Sequence, residues 1–157
     1  MSNPIFKNGI LTNRDEPIYL NSNFDWGEAL WQPSWSVFHI PSDAEITAIT
    51  NMAVRLDHVR DIIDRPFAIH CWLRSGSVNN PSSPYHGQDY NSFIKGAKMS
   101  EHKFGNAVDF HVKGLTIIEA WSAIRDIWKG RMEDVNFTPN WLHLDLRSYG
   151  SSITFKP

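Results

Sequence analysis

Two separate stretches of the chain carry residues whose types and spacing could do chemistry. His102 and Asp109 lie seven residues apart in the first stretch, and His143 lies in the second. Two imidazoles and one carboxylate are the three protein ligands of a catalytic zinc site, which keeps one coordination position open. A divalent ion held in this way activates water. The pattern therefore predicts amide hydrolysis without a covalent intermediate.

Strand alternation predicts how the first stretch presents its ligands. We predict a strand over 107–112, and residues i and i+2 of a strand lie on one face. Asp109 and His111 therefore share a face, with the apolar residues around them turned to the opposite side. His102 comes from the loop that enters this strand. Because Gly105 leaves room for a tight turn, both ligands of the first stretch can reach one ion.

The second stretch is predicted to form a strand over 141–146. By the same alternation His143 and Asp145 share a face, while the leucines beside them face the core. An apolar run over 67–73 is predicted to be an earlier, buried strand, and 153–155 a closing one. The candidate ligands are therefore expected to lie on neighbouring strands of one sheet.

Two amphipathic helices are predicted. The first begins at a cap formed by Ser42 or Asp43, continues with apolar residues at three- and four-residue spacing, and ends before Pro66. The second covers 116–129 and is followed by Gly130. Helices lying on an antiparallel sheet make a small α+β domain. We therefore predict an α+β fold with two main helices packed on a small antiparallel sheet.

Two segments have no regular hydrophobic pattern. Residues 1–40 are rich in aromatic side chains and are expected to form loops and short turns over one side of the core. Residues 75–96 are expected to form a long loop. Long ordered loops in compact domains tend to be functional, so the second segment is a candidate for substrate contacts.

Composition sets the broad class of the protein. The chain has 157 residues, 41% hydrophobic and 20% charged, which is ordinary for one globular domain spanning 1–157. A net charge of −2 gives no basic surface for nucleic acid. No apolar run approaches the length of a membrane span, and the amino terminus has no apolar secretion signal. We therefore expect synthesis in the cytoplasm, no nucleic-acid partner and no membrane insertion.

Beyond the ligands, the two stretches share a wider pattern with a known family. The matching residues are Ser100, His102, Gly105, Ala107, Asp109, Trp141, Leu142, His143, Leu144 and Asp145. The pattern resembles the zinc D-Ala-D-Ala carboxypeptidase family, whose superfamily includes lysostaphin-type peptidases and the amino-terminal domain of hedgehog proteins. The likeness covers residues 20–147, including the segments 20–28 and 73–79.

The resemblance implies a zinc peptidase with a hedgehog/DD-peptidase-like fold. Such enzymes cut bonds beside D-amino acids in the peptide stems of bacterial peptidoglycan. The zinc ligands would be His102, Asp109 and His143. Family members from bacteriophages act as endolysins or virion-associated wall-cutting enzymes. On this interpretation the protein is a monomer that acts on the cell wall, released by lysis or carried on a phage particle.

Other side chains have candidate roles around the metal. The resemblance implies that Arg74 stabilises the oxyanion or holds a substrate carboxylate; its alternative role is a surface salt bridge. Ser100 is expected either to hydrogen-bond the substrate or to cap the ligand loop. His86 is a candidate substrate contact or a solvated loop residue, and His111 a candidate transition-state donor or an exposed strand residue. The single cysteine, Cys71, is predicted to be a buried small hydrophobe.

The general base is where the sequence departs from the family pattern. Many relatives carry an acidic residue a few positions before the last histidine, but Phe137 and Asn140 occupy those places here. Asp145 is the best replacement, because it shares the zinc-facing side of its strand with His143. Its alternative role is to orient a metal-bound imidazole. The weaker candidates are Glu101, Glu133 and Asp134.

Two other functions compete with a peptidase. The missing upstream acid favours a zinc-bearing but inactive module that binds peptidoglycan or a virion protein. A third possibility is a structural virion component that keeps the fold for assembly. The sequence leaves open which stem bond is cut, and therefore whether a peptidase would be a carboxypeptidase or an endopeptidase.

Overall fold

A five-stranded sheet is the centre of the fold. The computed structural model describes residues 3–147, 150 and 153–156. In chain order the strands are β1 (Phe6–Lys7), β2 (Ile10–Leu11), β3 (Trp31–Gln32), β4 (Val37–Phe38), β5 (Phe67–Cys71), β6 (Ala107–Val112), β7 (Arg131–Glu133), β8 (Leu142–Asp145) and β9 (Ile153–Phe155). The α-helices are α1 (Trp26–Leu30), α2 (Asp43–Ile63), α3 (Tyr90–Phe93) and α4 (Ile117–Ile124), and 3-10 helices cover Pro33–Trp35 and Glu101–Phe104.

The large sheet has the strand order β5-β6-β8-β7-β9. Its neighbouring strands run antiparallel except β7 and β9, which are parallel. β1 pairs with β2 and β3 with β4 in two separate two-stranded sheets. This mixed architecture is compatible with the predicted α+β class. The prediction of a purely antiparallel sheet is wrong for the β7–β9 pair.

β6 lies between β5 and β8 in the large sheet and is almost wholly buried. Phe110 lies in the main hydrophobic core, and alternation turns Asp109 to the opposite face. The register of β6 with β8 pairs Asp109 with His143. Cross-strand partners lie on the same face of a sheet, and Asp145 lies two residues beyond His143 on that face. The predicted alternation of both strands is confirmed.

α2 begins and ends as its sequence predicts. Ser42 is the N-cap: its hydroxyl accepts a hydrogen bond from the backbone N–H of Glu45, whose carboxylate accepts one from the backbone N–H of Ser42. The chain leaves the helix at Asp64 in a left-handed conformation, ahead of Pro66. The apolar face of α2 is buried in the core and packs against α4.

Asp57 of α2 anchors the segment that precedes α1. Its buried carboxylate accepts hydrogen bonds from the hydroxyls of Tyr19 (2.5 Å) and Ser22 (2.9 Å). The backbone and side-chain amides of Asn23 each donate another at 3.0 Å. α1 follows with a capping box that begins at Asp25. The region predicted to be only loops and turns therefore contains a capped helix and two strand pairs as well.

α4 is shorter than the helix predicted over 116–129. It ends at Ile124, where the backbone N–H groups of Ile127 and Trp128 both donate to the carbonyl of Ile124. Trp128 is fully buried, and its indole N–H donates to the backbone carbonyl of Arg131. The chain leaves the helix before this buried indole and continues to β7.

Other local features also differ from the predictions. β7, three residues long, is not among the predicted strands. The strand predicted over 67–73 ends at Cys71, and the long loop over 75–96 contains α3. Within the described residues, no helix combines the length and the apolar character needed to cross a membrane.

Candidate metal centre

Three donor atoms meet between β6, β8 and the second 3-10 helix. His102 Nε2 lies 3.1 Å from Asp109 Oδ1 and 3.2 Å from His143 Nδ1. His143 Nδ1 lies 2.8 Å from the same Asp109 oxygen. A triangle with these edges has a point about 2 Å from every corner, the usual bond length of zinc to nitrogen and oxygen ligands. The structure therefore brings the three predicted ligands to one position.

Each ligand is held by a different element. His102 lies in the second 3-10 helix, Asp109 in β6 and His143 in β8. The 3-10 helix ends at Gly105, whose φ of 79° lies in the left-handed region. A Cβ at this position would lie 2.9 Å from Ile49 Cγ1 of α2. Glycine therefore lets the ligand loop pass close to α2 and enter β6.

The outer nitrogens of both imidazoles are already used by the protein. His102 Nδ1 lies 2.6 Å from the carbonyl oxygen of Trp72, which can only accept, so Nδ1 donates the proton. His143 Nε2 faces Asp145 Oδ2 at 3.6 Å. These partners assign the N–H to the outer nitrogen of each neutral ring. The inner nitrogens, His102 Nε2 and His143 Nδ1, then carry lone pairs that point to the space beside Asp109 Oδ1, where a metal ion could bind them.

Three acceptor atoms that face one another favour a positive charge between them. Burial by itself lowers the pKa of His102, but the carboxylate of Asp109 outweighs burial and raises this pKa to about 9. Burial raises the pKa of Asp109, yet the charges and hydrogen bonds of His102 and His143 hold it well below its ordinary value. The cluster therefore binds a proton strongly, and a divalent cation would compete for the same place.

Cys71 lies beside this centre. Its sulfur and the ligand atoms of His102 and Asp109 all lie within 4.8 Å of one another, so these three residues form a group that could hold a metal ion. The thiol also accepts a hydrogen bond from Arg74 Nε at 3.2 Å. The expected role of Cys71 as a core hydrophobe misses this placement. The separations within the set that contains His143 are shorter, and we therefore treat Cys71 as an additional donor.

Arg74 holds the outer oxygen of the Asp109 carboxylate. Its Nη2 donates to Asp109 Oδ2, while Oδ1 of the same carboxylate faces the imidazoles. The guanidinium is thus shared between Asp109 and Cys71. Burial lowers the pKa of Arg74, but the charges of Cys71 and Asp109 raise this pKa by more than burial lowers it. The net shift is upward, so the side chain stays positive. Arg74 therefore fixes which carboxylate oxygen is available to a metal.

The donor atoms lie at the wall of a cleft of about 430 Å³. The residues that line it are Arg74, Ala97, Met99, Ser100, Glu101, His102, Asp109, Arg131, Glu133, Phe137, Thr138, Trp141, His143, Arg147, Phe155 and Lys156. Charged groups, apolar surface and the donor cluster therefore share one opening. Concave sites of this kind commonly bind small ligands.

The structure brings some of the other predicted site residues to the cleft and not others. Ser100 lines the cleft and makes no side-chain cap bond to its 3-10 helix, which favours a role towards substrate over capping. His86 is exposed and lies outside the lining. His111 shares a sheet face with Asp109 as predicted, but its Nδ1 lies 2.8 Å from His70 Nε2 and it does not line the cleft. The expected contacts of His86 and His111 with substrate have no support in this placement.

Asp145 has no direct access to the cleft. It is fully buried, and its Oδ2 accepts hydrogen bonds from Arg147 Nε at 3.0 Å and Nη2 at 2.5 Å. Its Oδ1 accepts one from the backbone N–H of Arg147 at 2.9 Å, and Oδ2 also faces His143. A carboxylate so enclosed cannot exchange protons with water in the cleft. The geometry favours the orienting role over the general-base role.

Glu133 lines the cleft together with Glu101 and Asp109. The β7–β8 register pairs Arg131 with Asp145, and continuing it sets Glu133 opposite His143. Directly opposed residues have Cβ atoms about 5 Å apart. Burial raises the pKa of Glu133, although the charge on His143 works against that rise. Sequence patterns gave Glu133 little weight because β7 is too short to show a period.

Comparison of the chain with protein-family models gives no match, and comparison with curated proteins gives none either. The donor triangle and the residues of the cleft are therefore the basis for assigning a function. His102, Asp109 and His143, which could hold a metal ion, lie next to an acidic residue and several cations in one opening.

Proposed function

We propose that this protein is a zinc-dependent peptidase that hydrolyses the peptide stems of bacterial peptidoglycan. The convergence of His102, Asp109 and His143 at the wall of a cleft is the observation that supports it most directly. The resemblance of the ligand stretches to the D-Ala-D-Ala carboxypeptidase family supplies the substrate class. A hedgehog/DD-peptidase-like arrangement, and action on the cell wall as an endolysin-type enzyme, are parts of the same proposal.

Zinc is the metal that the donor set fits best. Two imidazole nitrogens and one carboxylate oxygen form a three-ligand set of the kind that catalytic zinc sites use. His102 Nδ1–H donates to the carbonyl of Trp72, and His143 Nε2 faces Asp145 Oδ2 at 3.6 Å; these contacts would orient the rings as such sites require. When bound, zinc would act as a Lewis acid towards the scissile carbonyl and would activate water.

Glu133 is the residue to which we assign proton transfer. Its carboxylate would accept a proton from the attacking water and deliver it to the leaving amine. The hydroxyl of that water adds to the carbonyl carbon, the C–N bond breaks, and the proton ends on the amine nitrogen. Burial raises the pKa of Glu133, which brings it closer to the range in which one carboxylate can both accept and release a proton. Asp145 then serves as a positioning residue for His143.

Two further residues would position the substrate. Arg74 lines the cleft next to Asp109, and its planar guanidinium would stabilise negative charge that develops on the carbonyl oxygen. Ser100 lines the same cleft at the start of the ligand loop and would hydrogen-bond the peptide backbone. The assignment of Arg74 keeps a role that the family resemblance implies, and that of Ser100 keeps one of its two expected roles.

The test is hydrolysis of purified peptidoglycan and of synthetic stem peptides, followed by mass spectrometry of the fragments. We expect new amines from the zinc-loaded protein, none after chelation, and recovery when zinc is returned. His102→Ala should lose both metal and turnover. Tight zinc binding without cleavage of any stem peptide would overturn the proposal.

Two glutamate variants in the cleft test the assignment of proton transfer to Glu133. Glu133→Gln should retain zinc and lower kcat by about 10²- to 10⁴-fold, the usual contribution of a general base. Glu101→Gln changes the other glutamate of the cleft, which accepts a hydrogen bond from Asn106 and lies near Arg147. We expect this variant to keep most of the activity. The reverse pattern would move the proton-transfer role to Glu101.

A second candidate function has its own supporting observation. The sulfur of Cys71 lies close enough to His102 and Asp109 for these residues to hold a metal together. If the thiolate joined the three ligands, the metal would have four protein ligands, as structural zinc sites have. The protein would then be a zinc-bearing module that binds peptidoglycan or a virion protein without cutting it.

Cobalt substitution separates the two functions. A thiolate ligand gives cobalt an intense charge-transfer band in the near ultraviolet, which nitrogen and oxygen ligands do not give. We expect this band to be absent in the wild type with a stem peptide bound. If it persists in the presence of peptide, disappears in Cys71→Ser and no peptide is cleaved, the module function is correct.

A further inference from the structure

The cations of the cleft divide into two pairs. Four basic side chains line it: Arg74, Arg131, Arg147 and Lys156. Arg74 is bound by Asp109, and Arg147 is bound by Asp145. The charges of this first pair are therefore already balanced by buried carboxylates.

The second pair has no such balance. The guanidinium carbon of Arg131 lies 5.7 Å above the ring of Phe155, and its Nε is buried without a hydrogen-bond partner among the described residues. Lys156 Nζ lies 5.7 Å from the ring centre of Phe137. Within the described part of the chain, neither cation has a carboxylate in ion-pair contact. A buried guanidinium nitrogen without a partner is costly unless a ligand supplies one.

Strand geometry places Arg131 at a defined distance from the reacting centre. Arg131 and Glu133 lie two residues apart on β7 and both line the cleft. Residues i and i+2 of a strand are about 6.6 Å apart. One substrate residue spans up to about 3.6 Å, and the long arginine side chain covers the rest. Arg131 is therefore suited to a group carried one residue away from the bond that Glu133 would help to break.

We propose that Arg131, assisted by Lys156, binds a carboxylate on the substrate residue that follows the scissile bond. This inference rests on the proposed peptidase function and makes its substrate class narrower. The planar guanidinium pairs with a carboxylate through two parallel hydrogen bonds. The rings of Phe155 and Phe137 beside the two cations limit water around the ion pair, which strengthens it.

The carboxylate can come from two sources. It is the terminal carboxylate if that residue ends the peptide, and a branch carboxylate if the peptide continues past it. Three stem peptides distinguish the sources: one that ends after this residue as a free acid, the same peptide as an amide, and a longer peptide whose corresponding residue bears a branch carboxylate. The zinc-loaded full-length protein is assayed with each.

Arg131→Gln is the principal variant. We expect the wild type to favour the free acid over the amide, and Arg131→Gln to lower kcat/KM for the acid by about 10- to 100-fold, the loss of a charge-assisted pair. Its kcat/KM for the amide should stay within about twofold of wild type. Lys129→Gln removes one exposed positive charge outside the cleft and should change neither substrate.

Several outcomes would overturn the inference. Equal rates for acid and amide in the wild type, or an equal loss for both in Arg131→Gln, exclude a carboxylate site at Arg131. If Arg131→Gln does not fold, Lys156→Gln replaces it. Lys156 is exposed, so we expect only an approximately threefold loss that is confined to the acid. An unchanged preference in this variant would contradict the assigned pair.

The inference can fail separately from the proposed function. If the zinc-loaded wild type cleaves none of the peptides, the peptidase function fails. Calorimetric titration of the same protein with acid and amide then tests the carboxylate site by itself. Equal affinities would exclude the site, and tighter binding of the acid that is lost in Arg131→Gln would retain it as a binding site.

Discussion

Replacing Asp145 with asparagine separates the two roles that sequence patterns allow for this carboxylate. Its Oδ1 accepts the backbone N–H of Arg147, while Oδ2 accepts two side-chain N–H groups of Arg147 and faces His143 Nε2. Asparagine has a single oxygen. Whichever way its amide lies, an NH₂ group then opposes a donor, so part of this network is lost.

The size of the effect follows from what the network does. Asp145 fixes the His143 ring with its Nδ1 towards Asp109, and loss of such an orienting partner costs about 10- to 100-fold in metal affinity. This corresponds to about 1.4 to 2.8 kcal/mol of binding free energy. Because Asp145 has no access to the cleft, Asp145→Asn should recover nearly full kcat once zinc is saturating.

The assay is a competition for zinc between the protein and a chromophoric chelator, paired with kcat at rising free zinc. Asp126→Asn, which changes an exposed carboxylate outside the cleft, is the matched control. An unchanged zinc affinity together with a persistent loss of kcat at saturating zinc would refute the positioning argument. That result would return Asp145 to proton transfer.

Three further predictions concern stability. Gly105→Ala should lower the free energy of unfolding by about 2 kcal/mol or more, because an L residue is strained at this left-handed φ and its Cβ meets Ile49. A denaturant midpoint equal to wild type would contradict the tight-turn assignment. Asp57→Ala removes the acceptor of four hydrogen bonds and should cost about 3 kcal/mol or more, whereas a loss below about 1 kcal/mol would show that the anchor is dispensable. In the chelated protein, the folded-state pKa of His102, about 9, exceeds the ordinary 6.5. The stabilisation of the folded state by protonated His102 is therefore complete below about pH 6.5 and disappears as pH rises through about 9. The free energy of unfolding should fall by about 3 kcal/mol over this range. Unfolding curves of the chelated protein should show this loss, and those of the zinc-loaded protein should not.

The ligand triad could be predicted because local rules determine it. Alternation along β6 and β8 fixes the faces of Asp109 and His143, and these strands have buried apolar neighbours that leave one choice of register. Gly105 ahead of β6 marks the turn that returns His102 to the sheet. The N-terminal cap of α2 could be predicted for the same reason, since Ser42 and Glu45 satisfy the first backbone N–H groups locally.

Cys71 could not be placed because its position depends on an irregularity between strands. Simple alternation from Phe67 would put Cys71 on the core face with Ile69. The register shifts between Ile69 and Cys71, so that Ile69 pairs with Phe110 while Cys71 pairs with Asp109. The thiol therefore moves to the face of the metal ligands. No periodicity in the sequence predicts such a bulge.

Glu133 could not be placed for a different reason. β7 is three residues long, and its pairing with β8 joins segments separated by an irregular connection. Short strands carry no measurable period, and only tertiary pairing sets Glu133 opposite His143. His111 shows that a predicted strand face does not by itself place a residue in the cleft. Its face follows from alternation, but its distance from the cleft does not, and it contacts His70 instead.

Charge balance in the cleft links the metal to the kind of substrate. The cationic side chains of the lining are Arg74, Arg131, Arg147 and Lys156, and the acidic ones are Glu101, Asp109 and Glu133. Asp145 lies directly behind them, so with both imidazoles neutral, as a bound metal would require, four positive charges meet four negative ones. A divalent ion then leaves two positive charges in excess, where burial weakens screening by solvent. On the proposed function, such a centre would favour a peptide that brings a carboxylate, and a transition state that develops negative charge on the scissile oxygen.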